Sequence, residues 1–551
     1  MNVIIMKKGF NIVLILCGCA LSIHAQNVNI PDANFKAELL ANEAINTNLD
    51  NEIQLSEAAA FTDTINVVFK GIVDLTGIEA FTSLTGLNIA YNSLTTPLDV
   101  SSNTQLQYLN CAHTTINDLT VSANTILTYL DCSSNNALTA LDVSANSALE
   151  YLNCSYTGIS SLDVSDNNAL EYLDCSNAQL TTLDLPTAGV LVELNCENNV
   201  LNTIDLTNQP DIEVLNIRNI NISTLDVTSN LALRTLFCNS NPLYTLDVSQ
   251  NLALERLTCP YTFLSSLDVS ANVNLILLNC MGNDIAEIDV TNNVNLELLD
   301  ISYNNNIKEI DVSANTKLKN FNCSFNDIDE LDVTNNIDLV TLTFFRNNIQ
   351  EIDLSNNTQI EILKFDRNDI EELDVTNLVK LRILDCSANK ITDLDLSNNP
   401  AFVNLTAYTN GMQSLNVKNG NNVNVTYFST FNNSGLTCIT VDDADYSTQN
   451  WGTSGYVDAT TSFSENCEDS DLGMNNFAKQ NAIIYPNPAT TSFQIQYDGE
   501  IKTYVVYNYM GSLVDSGVGN TVFVEHLAPG SYILHVESID GVYFQGFFVK
   551  G

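Results

Sequence analysis

The sequence has little positive charge and few of the side chains on which most enzymes depend. It contains 20 Lys and Arg against 65 Asp and Glu, a formal net charge of −45, and it has only four His and one Trp. Binding to nucleic acid or to an anionic membrane requires basic surface that so acidic a chain lacks. The composition therefore argues against nucleic acid as a partner. It is compatible with cations, with partners that carry basic patches, or with a charge that keeps a long chain in solution.

Long apolar runs are also missing after residue 25, so we expect no transmembrane segment. Residues 1–25 have the features of a secretory signal peptide, because Lys7 and Lys8 precede an apolar core and Ala25 is a small residue suited to cleavage. The Leu-Cys-Gly-Cys string at 16–19 resembles a lipoprotein box, although Cys occupies its second position. The sequence thus predicts an exported chain.

What the chain does contain is one short unit repeated many times. A Leu/Ile-x-Val/Leu element recurs sixteen times within residues 98–417, spaced by 21 residues except for two steps of 22, and Asp occupies its middle position in fourteen copies. Self-similarity at a period of roughly 20 to 29 residues indicates a solenoid, because one such unit cannot bury its apolar face alone. Each repeat also contains a second short element, of which Leu149-x-x-Leu152-x-Cys154-x-x-x-x-Ile159 is an example.

This second element resembles the strand segment of the leucine-rich repeat, Leu-x-x-Leu-x-Leu-x-x-Asn-x-Leu, over more than half of the chain. The resemblance implies a mainly β solenoid with a parallel sheet on its concave side, and we expect a second, shorter-stranded sheet opposite. It also implies a buried Asn amide that binds the backbone of neighbouring coils, which satisfies polar groups inside each turn. Thr114 and Thr157 stand in the Asn position of two copies, and we expect those coils to be looser.

Residues 27–97 are predicted to form an N-terminal cap with helices and a first irregular repeat. A helix is expected over 32–45, with Asp32 as its N-cap. The next twelve residues resemble the calcium loop of EF-hands, with oxygen-bearing side chains at positions one, three and five and Glu at position twelve. The candidate ligands are Asn46, Asn48, Asp50, Glu52 and Glu57. Because Asn replaces the usual first Asp and Asn51 replaces the usual Gly, a weak Ca²⁺ site and a metal-free helical cap both stay open. No other cofactor is expected.

Cysteine use points to packing more than to chemistry. Of 14 Cys, two lie in the signal peptide and ten occupy one position of the repeat, where other copies have Ile or Phe. That interchange indicates a small buried hydrophobic residue and an inert thiol. Cys438 and Cys467 lie in the irregular segment 418–467, on either side of Trp451. In an oxidising compartment we expect these two to form a disulfide that staples a C-terminal cap.

The repeat ends before a linker at 468–481, and residues 482–551 have the alternating pattern of a small β-sandwich. The motifs Tyr-Pro-Asn-Pro at 485–488, Val-Val-Tyr-Asn-x-x-Gly at 505–511 and Leu-x-x-Gly-x-Tyr at 527–532 resemble the type IX secretion sorting domain of certain Gram-negative bacteria. The resemblance implies the type IX secretion machinery as a partner. It also implies a protein that is secreted or attached to the outer cell surface. Whether the sorting domain is removed stays open.

Catalytic motifs are lacking in the repeats. His113 is the one His within them, so a Ser-His-Asp arrangement has no candidate there, and neither zinc-protease nor nucleophile-elbow motifs occur. The repeated Asp recurs in nearly every coil, and such a residue serves the coil. We expect it to accept backbone N–H bonds in the turn that follows. The chain is therefore predicted not to be an enzyme.

The resemblance places residues that flank the strand leucines on the concave surface. Four consecutive coils have Tyr just before the second Leu, and these are Tyr108, Tyr129, Tyr151 and Tyr172. Tyr supplies flat apolar area and a hydroxyl at low entropic cost, which suits a protein or glycan ligand. The alternative is a self-stacked ladder that only stabilises the sheet. A second candidate is the basic group Arg346, Lys364 and Arg367, for which pairing with neighbouring carboxylates is the alternative.

Together these observations predict a secreted or cell-surface leucine-rich-repeat protein that is exported by a type IX system. It is expected to bind extracellular proteins or glycans through its concave face, in adhesion or recognition. The alternative is a structural surface-layer or scaffold protein that associates with itself.

Overall fold

The computed structural model describes residues 26–453, 455–467, 483–497, 500–539 and 543–551. The predicted signal peptide (1–25) and the predicted linker (468–481) therefore lie outside the described residues. The chain divides into two compact units, Met1–Thr187 and Ala188–Gly551, and each is described by itself.

The N-terminal cap contains α-helices at Ala33–Ala41 and Leu55–Ala60 and a 3₁₀ helix at Ile78–Ala80. Asp32 is the N-cap of the first helix, as predicted, and its Oδ1 accepts from the N–H groups of Asn34 and Phe35, both at 2.9 Å. The helix ends at Ala41, earlier than predicted. Asn42 follows it, and the Asn42 Oδ1 accepts from the N–H of Ala44 at 3.0 Å, a local bond that competes with helix continuation.

In the unit Met1–Thr187 the second element of each repeat forms one short strand of a parallel sheet, which we call the main sheet. Its strands are Thr64–Asn66, Gly86–Asn88, Tyr108–Asn110, Tyr129–Asp131, Tyr151–Asn153 and Tyr172–Asp174. The register places each central Leu beside the next, as in Leu130↔Leu152. Away from the main sheet, Leu98–Asp99 pairs with Leu119–Thr120 and Ser161–Asp163 pairs with Thr182–Asp184.

In the unit Ala188–Gly551 the same arrangement gives further parallel main strands. They are Glu193–Asn195, Val214–Asn216, Thr235–Phe237, Arg256–Thr258, Leu277–Asn279, Leu298–Asp300, Asn320–Asn322, Thr341–Thr343, Ile362–Lys364, Ile383–Asp385, Asn404–Thr406 and Tyr427–Ser429. A second sheet is made by Asp393–Asp395, Ser414–Asn416, Cys438–Thr440 and Ser462–Ser464, beside the 3₁₀ helix Asn422–Asn424 and the α-helix Ala444–Asn450.

The mainly β solenoid is thus confirmed, but the second sheet is less regular than predicted. Among the described residues it forms only in the short stretches named above, and most Leu-Asp-Val segments lie outside any strand. Each such segment is only about three residues long and passes directly into a turn that its own Asp closes. In the segment at 141–143, for example, Asp142 Oδ1 accepts from the N–H of Ser144 at 3.0 Å. The Asp side chain thus bends the backbone out of the extended conformation directly after the Leu-Asp-Val segment.

The interior is a stack of identical apolar positions. The central Leu of the main strands is fully buried, as at Leu152 and Leu257, and so are the ten ladder thiols, such as Cys154 and Cys259. Burial raises the pKa of the Cys154 thiol, and neighbouring carboxylates raise it further. The Cys154 thiol is therefore protonated and unreactive at neutral pH.

Buried Asn amides join each coil to the one before it. The Asn135 amide nitrogen donates to the carbonyls of Cys111 and Cys132, both at 2.9 Å, while its Oδ1 accepts from the N–H groups of Thr114 and Ile116. In copies with Thr at this position, the hydroxyl makes fewer hydrogen bonds than the Asn amide does. Thr157, for example, donates to the Cys154 carbonyl within its own coil at 2.7 Å. Ala178, Ile220 and Thr262 also replace Asn here, which the repeat alignment from sequence had overlooked.

A second buried Asn ladder was not predicted. It follows the repeated Asp by four residues in most coils, and Asn251 illustrates it by donating to the carbonyls of Val227 and Asn230, both at 2.9 Å. Its members are fully buried and comprise Asn103, Asn124, Asn146, Asn167, Asn230, Asn251, Asn272, Asn293, Asn315, Asn336, Asn357 and Asn399, with Gln209 at the equivalent position. Coils that carry both Asn residues are therefore tied to their predecessors at two buried points.

The C-terminal residues form a small sandwich of two antiparallel sheets. One contains Ile483–Tyr485, Ser492–Gln496 and Thr521–Phe523, and the other contains Leu513–Gly517, Ile501–Asn508, Gly530–Ser538 and Tyr543–Lys550. Phe493, Val506, Val522, Leu534 and Phe548 are among the buried residues between them. The predicted β-sandwich is present.

The second Asn ladder gives a stability prediction. Replacing Asn251 with Ala leaves two buried carbonyls without a donor, so the free energy of unfolding should fall by about 2 to 4 kcal/mol. Asn251→Asp, which is the same size but loses the donor, should cost at least as much. The exposed neighbour Gln250 provides the control, since Gln250→Ala should change stability by less than about 0.5 kcal/mol. Denaturant titration of the three variants measures this, and equal effects at 250 and 251 would contradict the assignment.

Candidate binding surface on the main sheet

Strand geometry decides which side chains of each coil reach solvent. In a main strand the central Leu points into the core while the residues on either side point outward, because successive side chains alternate between the two faces. Tyr151–Asn153 shows this pattern, with Leu152 buried and both of its neighbours half-buried. Within each unit, the outward side chains of its main strands form an open surface, which we call the main-sheet face of that unit.

The four predicted Tyr residues form a stripe on this face, within the unit Met1–Thr187. Adjacent rings are nearly parallel, and their centroid separations are 4.6 Å for Tyr108–Tyr129, 4.3 Å for Tyr129–Tyr151 and 4.4 Å for Tyr151–Tyr172. All four are half-buried. Burial raises the pKa of Tyr129 and Tyr151, and the nearby Asp131 charge raises both further, so the phenols stay neutral. Because the ring faces cover one another, the stripe presents ring edges to solvent.

A second aromatic column on this unit was missed from sequence. Phe69, Tyr91 and His113 stack with centroid separations of 4.3 and 4.4 Å. Each has a φ of 54 to 58°, the left-handed region that bulky residues rarely adopt. Phe69 is 70% exposed and Tyr91 45% exposed. The signal in the sequence was an aromatic two positions after the ladder residue, which is Cys111 for His113.

Two rows of small side chains follow the position of the Tyr stripe in each coil. The first is half-buried and consists of Asn88, Asn110, Asp131, Asn153 and Asp174, and the second is buried and consists of Ala90, Ala112, Ser133, Ser155 and Ser176. Several oxygens of the first row accept from the residue two positions on, as when Asp131 Oδ1 accepts from the N–H of Ser133 at 3.0 Å.

Of the predicted basic residues, Lys364 lies on the main-sheet face of the unit Ala188–Gly551, and Arg346 and Arg367 lie in the bends that follow two main strands. We call Arg346, Lys364 and Arg367 the basic cluster. Lys364 is the exposed last residue of its strand and pairs in register with Thr343 and Asp385. The Arg346 guanidinium lies over the Phe325 ring, 4.7 Å from its centroid. Arg367 pairs with Asp366 at 3.1 Å.

The carboxyl group of Asp366 has an unusual environment. Burial raises its pKa to about 6, the Asp385 charge raises it too, and the Arg367 and Arg346 charges only partly oppose these effects. Burial likewise raises the pKa of Asp385, although bonds from Ser387 and the charges of Lys364 and Arg367 lower it. The basic cluster therefore lies beside carboxyls that are less readily ionised than usual.

The structure places the candidate Ca²⁺ ligands Asn46, Asn48, Asp50 and Glu52 in one loop and Glu57 in the first turn of the helix that follows it. Protein donors bind the carboxylates of Glu57 and Asp50, whereas the buried Asn46 Oδ1 has no hydrogen-bond partner in the described part of the chain. Both carboxylate oxygens of Glu57 accept hydrogen bonds, from the N–H and hydroxyl of Thr47 at 2.9 Å and from the N–H of Gln54 at 3.0 Å. Asp50 accepts from Glu52 N–H at 2.7 Å and from Asn48 and Gln54 side chains at 3.0 Å. Asn46 donates to the Asp50 carbonyl. Glu52 pairs with Lys36 at 2.7 Å. The loop is closed by its own hydrogen bonds.

The C-terminal cap is joined by a disulfide between Cys438 and Cys467, whose Cα atoms lie 5.8 Å apart. Between them, Trp451 is buried and stacks on Phe428 at 4.3 Å. This pair covers the end of the repeat core, because Phe428 occupies the position of the central Leu in its strand.

The repeated Asp residues have the structural role that was predicted. Asp226 Oδ1, for instance, accepts from both the hydroxyl and the N–H of Thr228, at 2.6 and 3.0 Å. Those bonds lower the pKa of Asp226, and equivalent bonds from Ser144 and Thr291 lower the pKa of Asp142 and Asp289. Among the described residues, no cluster of three or more His, Cys, Asp or Glu side chains is arranged to hold a metal ion.

The hydrogen bonds of the N-terminal loop predict that it folds without calcium. Glu57→Gln replaces one acceptor with an amide that faces the Gln54 N–H, and it should lower the free energy of unfolding by about 1 to 2 kcal/mol. Glu52→Gln loses only an exposed ion pair and should cost less than about 1 kcal/mol. Thermal melts with EDTA and with calcium should superimpose. A calcium-dependent rise in Tm that disappears in Glu57→Gln would instead support a weak Ca²⁺ site.

The environment of Asp366 gives a pH prediction. Its pKa in the folded protein, about 6, exceeds the ordinary value of 3.8, so the folded state holds this proton more tightly than the unfolded state does. The associated stability is complete below about pH 4 and is lost as the pH rises through 6. Relative to Asp366→Asn, the parent protein should therefore lose stability between pH 4 and pH 7. Denaturant titrations of both proteins across that range test the sign, and a constant difference would contradict it.

In the part of the chain that the structure describes, no helix combines the length and the apolar character needed to cross a membrane.

Comparison with known proteins identifies both parts of the chain. Residues 483–550 match the secretion system C-terminal sorting domain. Among solved structures, the functional domain of InlJ from Listeria monocytogenes, described as including a cysteine ladder, matches with 27% identity and a TM-score of 0.60, covering 96% of this chain and 98% of that one. The leucine-rich-repeat protein LIC12759 from Leptospira interrogans matches with 20% identity and a TM-score of 0.52, covering 65% and 92% of the two chains, and shows the fold alone. No curated protein matches the chain.

The sorting domain indicates export through the type IX secretion machinery to the cell surface or beyond. The protein is a leucine-rich-repeat solenoid with a C-terminal type IX secretion sorting domain.

Proposed function

We propose that this protein is a non-catalytic recognition module that acts at or outside the cell surface and binds an extracellular protein or glycan through its main-sheet face. The observation that supports this most directly is the stripe of Tyr108, Tyr129, Tyr151 and Tyr172. A chain destined for an aqueous environment has four aromatic rings in a row on an open sheet, where polar side chains would suffice.

The geometry of the stripe also defines the kind of contact it offers. Since each ring covers the face of the next at 4.3 to 4.6 Å, a ligand meets ring edges and phenolic hydroxyls, and only the two end faces are uncovered by stripe partners. Edges combine apolar C–H groups with a hydroxyl that both donates and accepts, which suits a polar ligand surface with scattered apolar area. The stack holds these groups rigid, so little side-chain entropy is lost on binding.

The stacking that orders the stripe should also stabilise the sheet, and a test has to separate the two roles. Replacing all four Tyr with Ala removes three stacked contacts of about 0.5 to 1.5 kcal/mol each, so unfolding should become easier by about 2 to 4 kcal/mol. Replacing all four with Phe keeps the stack and removes only the hydroxyls. The Phe variant should therefore keep the parent stability within about 1 kcal/mol, which denaturant titration measures.

The binding experiment screens the purified protein against panels of glycans and of cell-surface proteins. For a ligand found there, the Phe variant should bind at least tenfold more weakly, because several hydroxyl contacts of about 1 kcal/mol each are lost. Thr235→Ala with Thr341→Ala, at the equivalent positions of other coils, is the matched control and should bind like the parent.

Two outcomes would count against the proposal. Unchanged binding by the Phe variant and by a folded Ala variant would reduce the stripe to a stabilising ladder and move the site elsewhere. Absence of any foreign ligand, together with concentration-dependent self-association in light scattering, would favour a structural surface-layer protein instead.

A further inference from the structure

Two cations without a carboxylate partner lie on neighbouring coils in the described part of this acid-rich chain. In the described residues nine of the seventeen Lys and Arg side chains contact a carboxylate, as in the pairs Lys319–Glu297 and Lys390–Asp369. Arg346 and Lys364 are exposed, and neither has a carboxylate within ion-pair distance in that part of the chain. Their charges are therefore available to a ligand.

The cations of the basic cluster are held in place. Arg346 and Arg367 occupy the same position of successive coils, with φ values of 56 and 57°, and the Arg346 N–H donates to the Asp366 carbonyl at 2.8 Å. The Phe325 ring supports the Arg346 guanidinium from one side. Neighbouring coils are about 4.8 Å apart. Arg346 and Arg367 thus stand on adjacent coils, and Lys364 precedes Arg367 on the same coil.

Acceptor groups surround the cluster and limit what can bind. Asp366 and Asp385 lie beside it. Burial raises the pKa of both carboxyls, and the Arg367 charge lowers it again in part. Burial also raises the pKa of Tyr408, and both Asp charges raise it further. A densely charged polyanion would meet these carboxylates as well as the cations, and the net charge of −45 would repel it further. The ligand that fits carries isolated negative charges separated by neutral, hydrogen-bond-donating groups.

We propose that the basic cluster binds carboxylate groups of an acidic extracellular polysaccharide in which single uronic acids alternate with neutral sugars. This inference rests on the proposed recognition function and adds a ligand class to it. Sugar hydroxyls can donate to Asp385 and to the half-buried side chains Asn322 and Thr343, while Phe345 offers apolar area for a sugar ring. An acidic peptide provides fewer donors per unit length, and it is the competing ligand that the test must reject.

The experiment measures binding of the full purified protein to three polymers. Hyaluronan has alternating uronate and neutral sugars, carboxyl-reduced hyaluronan lacks the charge, and poly-L-glutamate has carboxylates on a peptide chain. We expect binding to hyaluronan, at least tenfold weaker binding to the reduced polymer, and little binding to poly-L-glutamate. Raising the salt concentration should weaken the hyaluronan complex, because exposed ion pairs are screened.

Three variants test the site itself. Arg346→Gln with Lys364→Gln should weaken hyaluronan binding at least tenfold, while Arg256→Gln, which removes an exposed cation elsewhere on the main-sheet face, should leave it unchanged. Asp366→Asn removes the carboxylate that pairs with Arg367 and should tighten binding severalfold at neutral pH. A melting curve for each variant verifies folding.

The possible results separate this inference from the broader function. Hyaluronan binding that is insensitive to the double substitution, or equal for the reduced polymer, overturns the site. Preferential binding of poly-L-glutamate overturns the ligand class. If none of the polymers binds, yet a panel ligand binds and is lost in the Tyr→Phe variant, the basic cluster inference fails while the proposed recognition function stands.

Discussion

The structure depends above all on how a short coil satisfies its backbone. A 21-residue turn has many N–H and C=O groups and too few residues to pair them all within itself, and an unpaired buried polar group costs about 1 to 3 kcal/mol. Two buried Asn ladders solve this problem by bonding carbonyls of the preceding coil. Asn135 does so near the main strand and Asn146 does so after the repeated Asp, where it donates to the carbonyls of Val121 and Asn124. Because the bonds run between coils, each coil is stable only next to another, which makes the repeat number part of the stability.

The same constraint explains how a binding surface can arise on so uniform a scaffold. The residues that bond neighbouring coils and fill the core recur in nearly every repeat, whereas the outward side chains beside each central Leu are free to change. Position by position, the face can therefore carry Tyr in four successive coils, or a cation such as Lys364. The ladder spacing then brings residues 21 apart in sequence into direct contact, as the ring stack from Tyr108 to Tyr172 shows.

Much of this architecture could be predicted from the sequence, because the signals were periodic or local. The 21-residue period predicted the solenoid, and Asp32 indicated the start of the first helix. The repeated Asp indicated the turn that follows each Leu-Asp-Val segment. The second Asn ladder was equally periodic, but its position follows a turn rather than a strand, and the amide partners lie in another coil. The stacking of Phe69, Tyr91 and His113 depends on a left-handed backbone that residue type does not indicate. In the N-terminal loop, spacing alone could not reveal that Glu57 is already bonded by Thr47 and Gln54.

The ladder of ten buried thiols has a consequence for the export of the protein. Equivalent Cα atoms of neighbouring coils are separated by about 4.8 Å, which falls inside the range of about 4.4 to 6.8 Å that a disulfide can bridge. Neighbouring ladder thiols can therefore pair with each other in partly assembled coils, and an unfolded chain also exposes all ten as wrong partners for Cys438 and Cys467. Correct pairing requires that coils close over their thiols before oxidants react with them. The number of repeats that such a solenoid can have is then limited by how fast its coils fold relative to thiol oxidation, as well as by the stability of the folded state. Only an array that folds faster than its thiols oxidise leaves the cell with the single Cys438–Cys467 disulfide.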